Sequence, residues 1–307
     1  MATDAPWDIR GKTAVVTGGN TGIGRATALE LARRGAEVVL TARDAAKGAA
    51  TEAALTEELA RARLDDGARP GTVAWMPLDL GELASIAAFA RELQARHAAL
   101  HVLVHNAGVV LQDRRETVDG FEQTFGVNHL GPFMLTRLLR DRLVASAPAR
   151  VVVVASAAHF QARKGLDLDD LQSREGYQGV QAYARSKLAN VLFTRALAAR
   201  LEGTGVTANC LHPGVVATEF TRDGDHEGGL WGLVFRWARP FLLSPERGAR
   251  TSVHLCCAPE LADTSGEYFV RCRPATPSGP ARDPRAAEDL WAISEALCRA
   301  TSPDPVR

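Results

Sequence analysis

The chain has 307 residues, 46% hydrophobic and 23% charged, which is enough apolar material for a sizeable globular core. Lys plus Arg and Asp plus Glu each total 36, and 6% of residues are aromatic. Zero formal charge and so few rings exclude a general nucleic-acid binder, which needs cations for phosphates and stacking surfaces for bases.

Thr13-Ala-Val-Val-Thr17 reads as a strand, followed by glycines and a helix through about Arg34. Glu37 to Thr41 is a second strand, and a long Ala/Glu/Arg helix follows to about Leu64, broken by Asp65-Asp-Gly-Ala-Arg-Pro-Gly71. Thr72 to Met76 is a third strand. The helix from Glu82 to His97 puts Leu83, Ile86, Ala90 and Leu93 on one face. His101–Val104, Arg150–Ala155, Val206–Leu211 and Glu267–Val270 complete a sheet of about seven strands, with helices over about 120–144 and 181–202 between the later ones. Apolar strands that do not alternate, each followed by a helix, mean a parallel sheet buried on both faces. The expected fold is therefore α/β: a single-domain, Rossmann-type doubly wound sheet over residues 1–307, with ligands at the carboxyl ends of the strands. The Pro-, Arg- and Ser-rich stretch from Arg271 to Pro284 opens a C-terminal extension, about 271–307, expected to drape over the domain.

No apolar run approaches the ~18 residues of a membrane span. Met1 to Lys12 carries Asp4, Pro6 and Asp8 and has no apolar signal-peptide region. The five cysteines, Cys210, Cys256, Cys257, Cys272 and Cys298, are odd in number and lack C-x-x-C spacing. Neither a disulfide framework nor a metal site is expected, and reduced thiols suit a cytoplasmic protein.

The first strand runs into Thr17-Gly-Gly-Asn-Thr-Gly-Ile-Gly24, where Gly18, Gly22 and Gly24 allow a tight turn and a close backbone approach. The helix N-terminus behind them offers free N–H groups to a pyrophosphate. A glycine trio alone also explains a plain strand-to-helix turn. Its position directly after the first strand favours dinucleotide binding.

Thr17-Gly-x-x-x-Gly-Ile-Gly24 resembles the cofactor fingerprint of the short-chain dehydrogenase/reductase family. Asn106-Ala-Gly108 resembles the family's N-A-G turn, with His105 where another Asn is usual. Asn128, Ser156, Tyr183 and Lys187 match its catalytic tetrad, Asp79 its adenine-contacting acid, and Pro213-Gly214 with Thr218 the element closing over the nicotinamide. The closer likeness is to the retinol dehydrogenase-like branch, through Phe125-Gly-Val-Asn-His-Leu-Gly131, Tyr183-x-x-Ser-Lys-Leu-Ala-Asn190, Leu211-His-Pro-Gly-Val-Val216, Ser244-Pro-Glu-x-Gly-Ala249, Leu290-Trp291 and Ser294-Glu295. The resemblance implies a cofactor held by Gly18, Asn20, Thr21, Gly22, Ile23, Gly24, Arg43, Asp79, Leu80, Asn106, Ala107, Gly108, Tyr183, Lys187, Pro213, Gly214, Val216 and Thr218. It also implies a homodimer or homotetramer pairing through the helices around 121–144 and 181–202. Many members of that branch carry a membrane anchor before the first strand. Only about a dozen residues stand there in this chain, so a soluble protein is expected.

Tyrosine, with a reference pKa of about 10, is a poor base at neutral pH. Lys187, four residues after Tyr183 on one helical face, is expected to lower that value and, by resemblance, to hold the nicotinamide ribose. Ser156 at the end of the fifth strand is expected to hold the substrate oxygen, and Asn128 to hold a water linking Lys187 to solvent. Taken singly, each has an ordinary reading: a surface Tyr–Lys pair, a turn Ser, a solvated Asn. Their joint occurrence with the glycine turn removes these. Among the histidines, His129 reads as packing, His212 as loop, and His159 as a candidate for lining the pocket.

Cofactor choice is read at the end of the second strand. By resemblance the acid that would select NAD(H) is replaced by Ala42, and Arg43 can pair with a 2′-phosphate, so NADP(H) is expected. Asp44 reads as the N-cap of the next helix, and Arg25 as added positive charge. The segment of about 219–243 is polar and glycine-rich, then apolar on the face of Leu230, Leu233, Val234, Trp237 and Phe241. It is expected to be a lid over a small, apolar substrate. The function so read is an NADP(H)-dependent oxidoreductase of an alcohol/carbonyl pair. A C=C (enone) reductase on the same scaffold and a catalytically silent nucleotide sensor are the alternatives. A methyltransferase would not need Tyr183-x-x-x-Lys187.

Overall fold

Successive strand residues feed two different cores. Val15, Val39, Leu103, Val151 and Val153 pack into one, while Ala14, Val16, Val38, Leu40, Val102, Val104, Val152 and Val154 pack into the other. This is why the strands are apolar without alternation: both faces of the sheet are covered. The computed structural model describes residues 7–62, 69–214 and 243–301. Strands β1 (Thr13–Val16), β2 (Glu37–Ala42), β3 (Thr72–Pro77), β4 (Val102–His105), β5 (Ala149–Val154), β6 (Val206–His212), β7 (Tyr268–Val270) and β8 (Arg273–Pro274) form one sheet in the order β3-β2-β1-β4-β5-β6-β7-β8. All neighbours are parallel except β7 and β8.

The sheet thus has eight strands rather than about seven. β8 is two residues long and returns through a two-residue turn in which Arg271 (φ 51) and Cys272 (φ 61) are both left-handed. Such a turn ordinarily uses Asn or Gly, so no sequence signal marks it.

Helices α1 (Gly22–Arg33), α2 (Ala45–Ala60), α3 (Leu83–Arg96), α4 (Gln123–Phe125), α5 (Gly131–Ala145), α6 (Gly179–Arg200), α7 (Pro245–Cys257) and α8 (Pro284–Thr301) flank the sheet. α1 and α7 contribute to the layer on one face; α3, α5, α6 and α8 contribute to the other. Asp44 does cap α2, accepting from the Lys47 amide at 2.9 Å. The helix expected over about 120–144 is instead α4 and α5 joined by a π turn, Gly126–Leu130. α7 and α8 extend the expected set. Ser244 accepts from the Arg247 amide and Asp283 from the Arg285 and Ala286 amides, each followed by a proline at the first helical position.

The chain leaves β1 for β2 and β3 on one side, then returns to place β4 on the other. The carboxyl ends of β1 and β4 therefore diverge into the crevice where doubly wound sheets bind ligands. After β8, Ala275 donates to the Tyr268 carbonyl at 2.7 Å and a 3₁₀ turn, Pro280–Arg282, leads into α8.

Candidate active site

The turn after β1 is built from glycine and tied to both neighbouring strands. Gly18 (φ 62) and Gly22 (φ 51) take left-handed conformations that favour glycine. A Cβ on Gly24 would stand 2.2 Å from the Gly18 carbonyl oxygen and 2.4 Å from Asn106 Nδ2. Gly18 and Gly19 donate to Thr41 Oγ1 and the Thr41 carbonyl, at 3.3 and 3.0 Å. Thr17 Oγ1 accepts from the Asn106 and Ala107 amides at 2.9 and 3.1 Å, and Asn106 Nδ2 donates back to the Thr17 and Gly18 carbonyls. The first turn of α1 begins behind Thr21, whose side chain makes no capping bond, leaving those N–H groups for a ligand. This cradle, which a Cβ would fill, fits the pyrophosphate of a dinucleotide. Asn20 lies in it with its carbonyl accepting from Thr51 Oγ1, and Ile23 packs on the cluster of Ala26, Ala249 and Val253.

The other expected cofactor residues ring the same end of the sheet. Asp79 follows β3 half-buried, its Oδ1 accepting from the Gly81 amide at 2.8 Å, and the Leu80 side chain is core. Ala42 is buried at the end of β2. Arg43 beside it is exposed and has no hydrogen-bond or ion-pair partner among the described residues. Arg25 instead pairs with Glu58 at 3.4 Å. Pro213 and Gly214 (φ 90) follow β6. Val216, Thr218 and the segment of about 219–242 lie outside the described residues.

The four tetrad positions converge beside this crevice. Ser156, just past β5, caps a 3₁₀ turn, Ala157–Gln161, its Oγ accepting from the Ala158 amide at 3.1 Å, and stands close enough to the Tyr183 phenol to lower its pKa. Lys187 is buried one turn after Tyr183 on α6, its Nζ donating to the Val154 carbonyl at 2.9 Å. A Cβ on Gly108 would meet Lys187 Nζ at 3.4 Å and Asn128 Oδ1 at 3.2 Å, so the N-A-G turn passes directly under both. Asn128 sits in the π turn, a distortion frequent at functional sites. Its side chain is buried and committed: Oδ1 accepts from the Val109 amide, and Nδ2 donates to the Val109 carbonyl and Ser186 Oγ. It docks the segment after β4 onto α6 rather than standing solvated in a helix.

Electrostatics here follow burial. Burial pushes Tyr183 up to about 12, against the lowering effect of the Ser156 hydrogen bond. Burial pulls Lys187 down to about 8. The expected lowering of the tyrosine by Lys187 is thus not realised in the free chain, because Nζ points at the Val154 carbonyl and lies 5.6 Å from the Tyr183 ring centroid. The phenol is protonated near neutral pH and poised as a donor.

The short chain dehydrogenase family model matches residues 12–168 and 171–227. The chain belongs to the short-chain dehydrogenase family. Mouse retinol dehydrogenase 12 is 46% identical over 286 residues, which cover 93% of this chain and 86% of that protein. This places the chain in the retinol dehydrogenase-like branch, among oxidoreductases of alcohol/carbonyl pairs. A crystal structure of an uncharacterized protein from Mycobacterium paratuberculosis superposes with a TM-score of 0.74 at 34% identity, covering 97% of each chain. The NADP active-site complex of RhlG from Pseudomonas aeruginosa superposes at 0.66 with 28% identity, covering 86% of this chain and 96% of that one.

Within this short-chain dehydrogenase the histidines divide as their burial dictates. His129 packs among Phe125, Phe133 and Phe193, as expected. His105, at the family's usual Asn position, is buried against Phe193 with Nε2 on Thr136 Oγ1 at 2.7 Å, leaving the Asn106-Ala-Gly108 backbone in place. His159 is fully buried and lines no open surface, while His212 at the end of β6 accepts the Ala157 amide at Nδ1. Both reach the backbone of the Ser156 turn, a role their sequence positions did not signal. A groove of about 630 Å³ lined by Arg195, Glu202, Asp263 and Glu267 lies at the opposite, amino-terminal end of β6 and has no part in this cluster. No described helix is long and apolar enough to cross a membrane.

Proposed function

We propose that this dehydrogenase is an NADP(H)-dependent oxidoreductase interconverting an alcohol and a carbonyl on a lipophilic small molecule, with Tyr183 as general acid/base. The observation that carries the reading is that Lys187 and Asn128 meet the N-A-G turn, with Tyr183 one helical turn before Lys187 and Ser156 beside its phenol, next to a glycine cradle that fits a dinucleotide. A nicotinamide bound there would supply or accept the hydride. In the reductive direction Tyr183 donates a proton to the substrate oxygen, and its raised pKa keeps that proton available. Ser156 holds the oxygen as charge develops. Lys187 would hold the nicotinamide ribose, and Asn128 fixes the segment after the N-A-G turn beside it.

Arg43 supports NADP(H): it is exposed, unpartnered among the described residues and follows a buried alanine where an acid would select NAD(H). The NADP complex of RhlG is in line with this. An apolar substrate is supported by Phe160 and Val180, which are 47% and 46% exposed and sit four residues after Ser156 and three before Tyr183. Both would line the approach to the substrate oxygen.

The deciding experiment is a panel of aldehydes, ketones and alcohols of increasing apolar length, followed at the nicotinamide absorbance with both cofactors. Wild type should prefer NADPH to NADH, and Arg43→Asp should reverse or erase that preference. Better turnover with NADH in the wild type would refute the assignment of Arg43.

A further inference from the structure

The turn carrying Ser156 is gripped by two imidazoles. His159 Nδ1 donates to the Ser156 carbonyl at 2.6 Å, beside the His159 amide, which donates to the same oxygen at 3.2 Å. The other ring nitrogen, Nε2, accepts from the Ser278 amide at 3.1 Å, in the stretch between β8 and α8. From the end of β6, His212 Nδ1 accepts from the Ala157 amide at 3.2 Å. One residue on each side of the peptide joining Ser156 to Ala157 is thus fixed by a ring. The His159 ring is itself wedged between Phe160 (centroids 4.2 Å apart) and Tyr268 of β7 (5.0 Å, edge-on).

These bonds dictate protonation. A backbone N–H can be accepted only by an unprotonated ring nitrogen, so both rings must be neutral. His159 carries its proton on Nδ1 and His212 on Nε2. Burial pulls both below the ordinary histidine value, and the Arg271 charge, with that of His159 whenever its ring takes a proton, opposes protonation of His212 further. The groups acting on the pair are therefore the Ser156 carbonyl on His159, and His159 with Arg271, from the turn between β7 and β8, on His212. The Tyr268 phenol packs beside them, and the Tyr183 phenol lies across Ser156. No carboxylate is among the influences on either ring.

We propose that His159 and His212 are positioning residues, a neutral imidazole clamp that aims the Ser156 hydroxyl at Tyr183 and fastens the Ser156 turn to the C-terminal stretch through Ser278. The proposal rests on the reading of Ser156 and Tyr183 as catalytic. It makes the 275–283 stretch part of the catalytic support rather than a covering. It also makes acid a direct opponent of turnover, because a proton on either accepting nitrogen sets N–H against N–H and frees the serine.

The test measures kcat, KM, NADPH affinity and the acid side of the pH–rate profile in five proteins besides wild type. Ser156→Ala must be crippled. His159→Phe keeps the ring between Phe160 and Tyr268 but loses both hydrogen bonds. It should lose at least about tenfold in kcat, with NADPH affinity nearly unchanged. His212→Phe should do the same, and His212→Asn, whose Oδ1 can accept the Ala157 amide, should recover most of the loss. Wild-type kcat should fall on an acid limb below about pH 6.5. In His159→Asn that limb should move to higher pH, since one opponent of His212 protonation is gone; a merely structural histidine would not move it. If His159→Phe does not fold, the His212→Phe and His212→Asn pair decides. An active Ser156→Ala overturns the catalytic reading and the clamp with it. A crippled Ser156→Ala, beside unchanged kcat and an unmoved acid limb in the folded histidine variants, overturns the clamp alone.

Discussion

Tyr183 and Lys187 share one helical face, and in the free chain burial acts on them in opposite directions, up to about 12 and down to about 8. Their spacing was legible because i and i+4 residues meet on any helix. The outcome of their electrostatics was not, since it depends on where Nζ points and on how much solvent reaches the pair. Tyr183→Phe keeps the ring and removes the proton. Turnover should fall by at least ~100-fold, the scale of general acid–base catalysis, with NADPH still bound. Near-wild-type turnover would remove Tyr183 from the mechanism. Lys187 has its charge below about pH 8 and loses it above. NADPH affinity should therefore weaken as pH rises through about 8, and in Lys187→Met it should be weak throughout and flat with pH. A pH-independent wild-type affinity would show that the charge takes no part in holding the cofactor. Asn128 illustrates the limit of sequence at this scale. Its expected part is to hold a water linking Lys187 to solvent, and the π turn that buries its side chain against Val109 and Ser186 has no sequence signature.

Elements were recovered where periodicity or turn chemistry is strong. β1 to β7 were read within a residue or so of their observed ends, because both-sided burial demands uninterrupted apolar runs. β8 was missed because it is two residues long and its turn uses Arg271 and Cys272. α7 carries a readable start in Ser244-Pro245-Glu246, where a capping serine precedes proline at the first helical position. The glycine turn was the most legible element, since only glycine satisfies it. At Gly24 the left-handed region is not the reason; the space is, with the Gly18 carbonyl 2.2 Å from where a Cβ would be. Because that carbonyl is backbone, it cannot move aside without shifting Asn106, which bonds it. Gly24→Ala should therefore weaken NADPH binding by at least about tenfold, a loss of about 1.4 kcal/mol, while the far end of the sheet stays intact by hydrogen exchange. Unchanged affinity, measured by titration of cofactor fluorescence, would mean the turn is not the pyrophosphate site.

The whole molecule is closed by its C-terminal helix, and that bears on association. The family resemblance implies pairing through the helices around 121–144 and 181–202. In the folded chain every residue from Gly126 to Thr136 is buried, and so is every residue from Ser186 to Thr194 on α6. α8 accounts for much of this. Trp291 meets Phe133 edge-on at 4.8 Å and stacks on Phe193 at 6.0 Å. Arg200 lies 4.1 Å over the Trp291 ring and makes a two-pronged bond to Glu288, and Ser294 bonds the buried His129. The chain's own helix thus covers this part of α5 and α6. Two measurements check this. Trp291→Ala should cost about 2–4 kcal/mol, the range for removing a large aromatic from a packed site, discounted for its partial exposure. If α8 is the cover, hydrogen exchange in residues 186–194 should be equally slow across a hundredfold dilution of the wild type and should quicken in Trp291→Ala. Concentration-dependent protection of those residues in the wild type would instead mean that a second copy still reaches α6. The buried histidine under the same helix adds a pH signature. His129 is pulled down to about 3 by burial, so the folded state resists its protonation while the unfolded chain accepts it near 6.5. Stability present above about pH 6.5 is lost progressively as pH falls toward 3. His129→Leu should reduce that acid loss, seen as a smaller drop in the urea midpoint between neutral and acid pH. An identical drop in the variant would place the acid sensitivity elsewhere, with His105, buried to the same value, the next residue to replace.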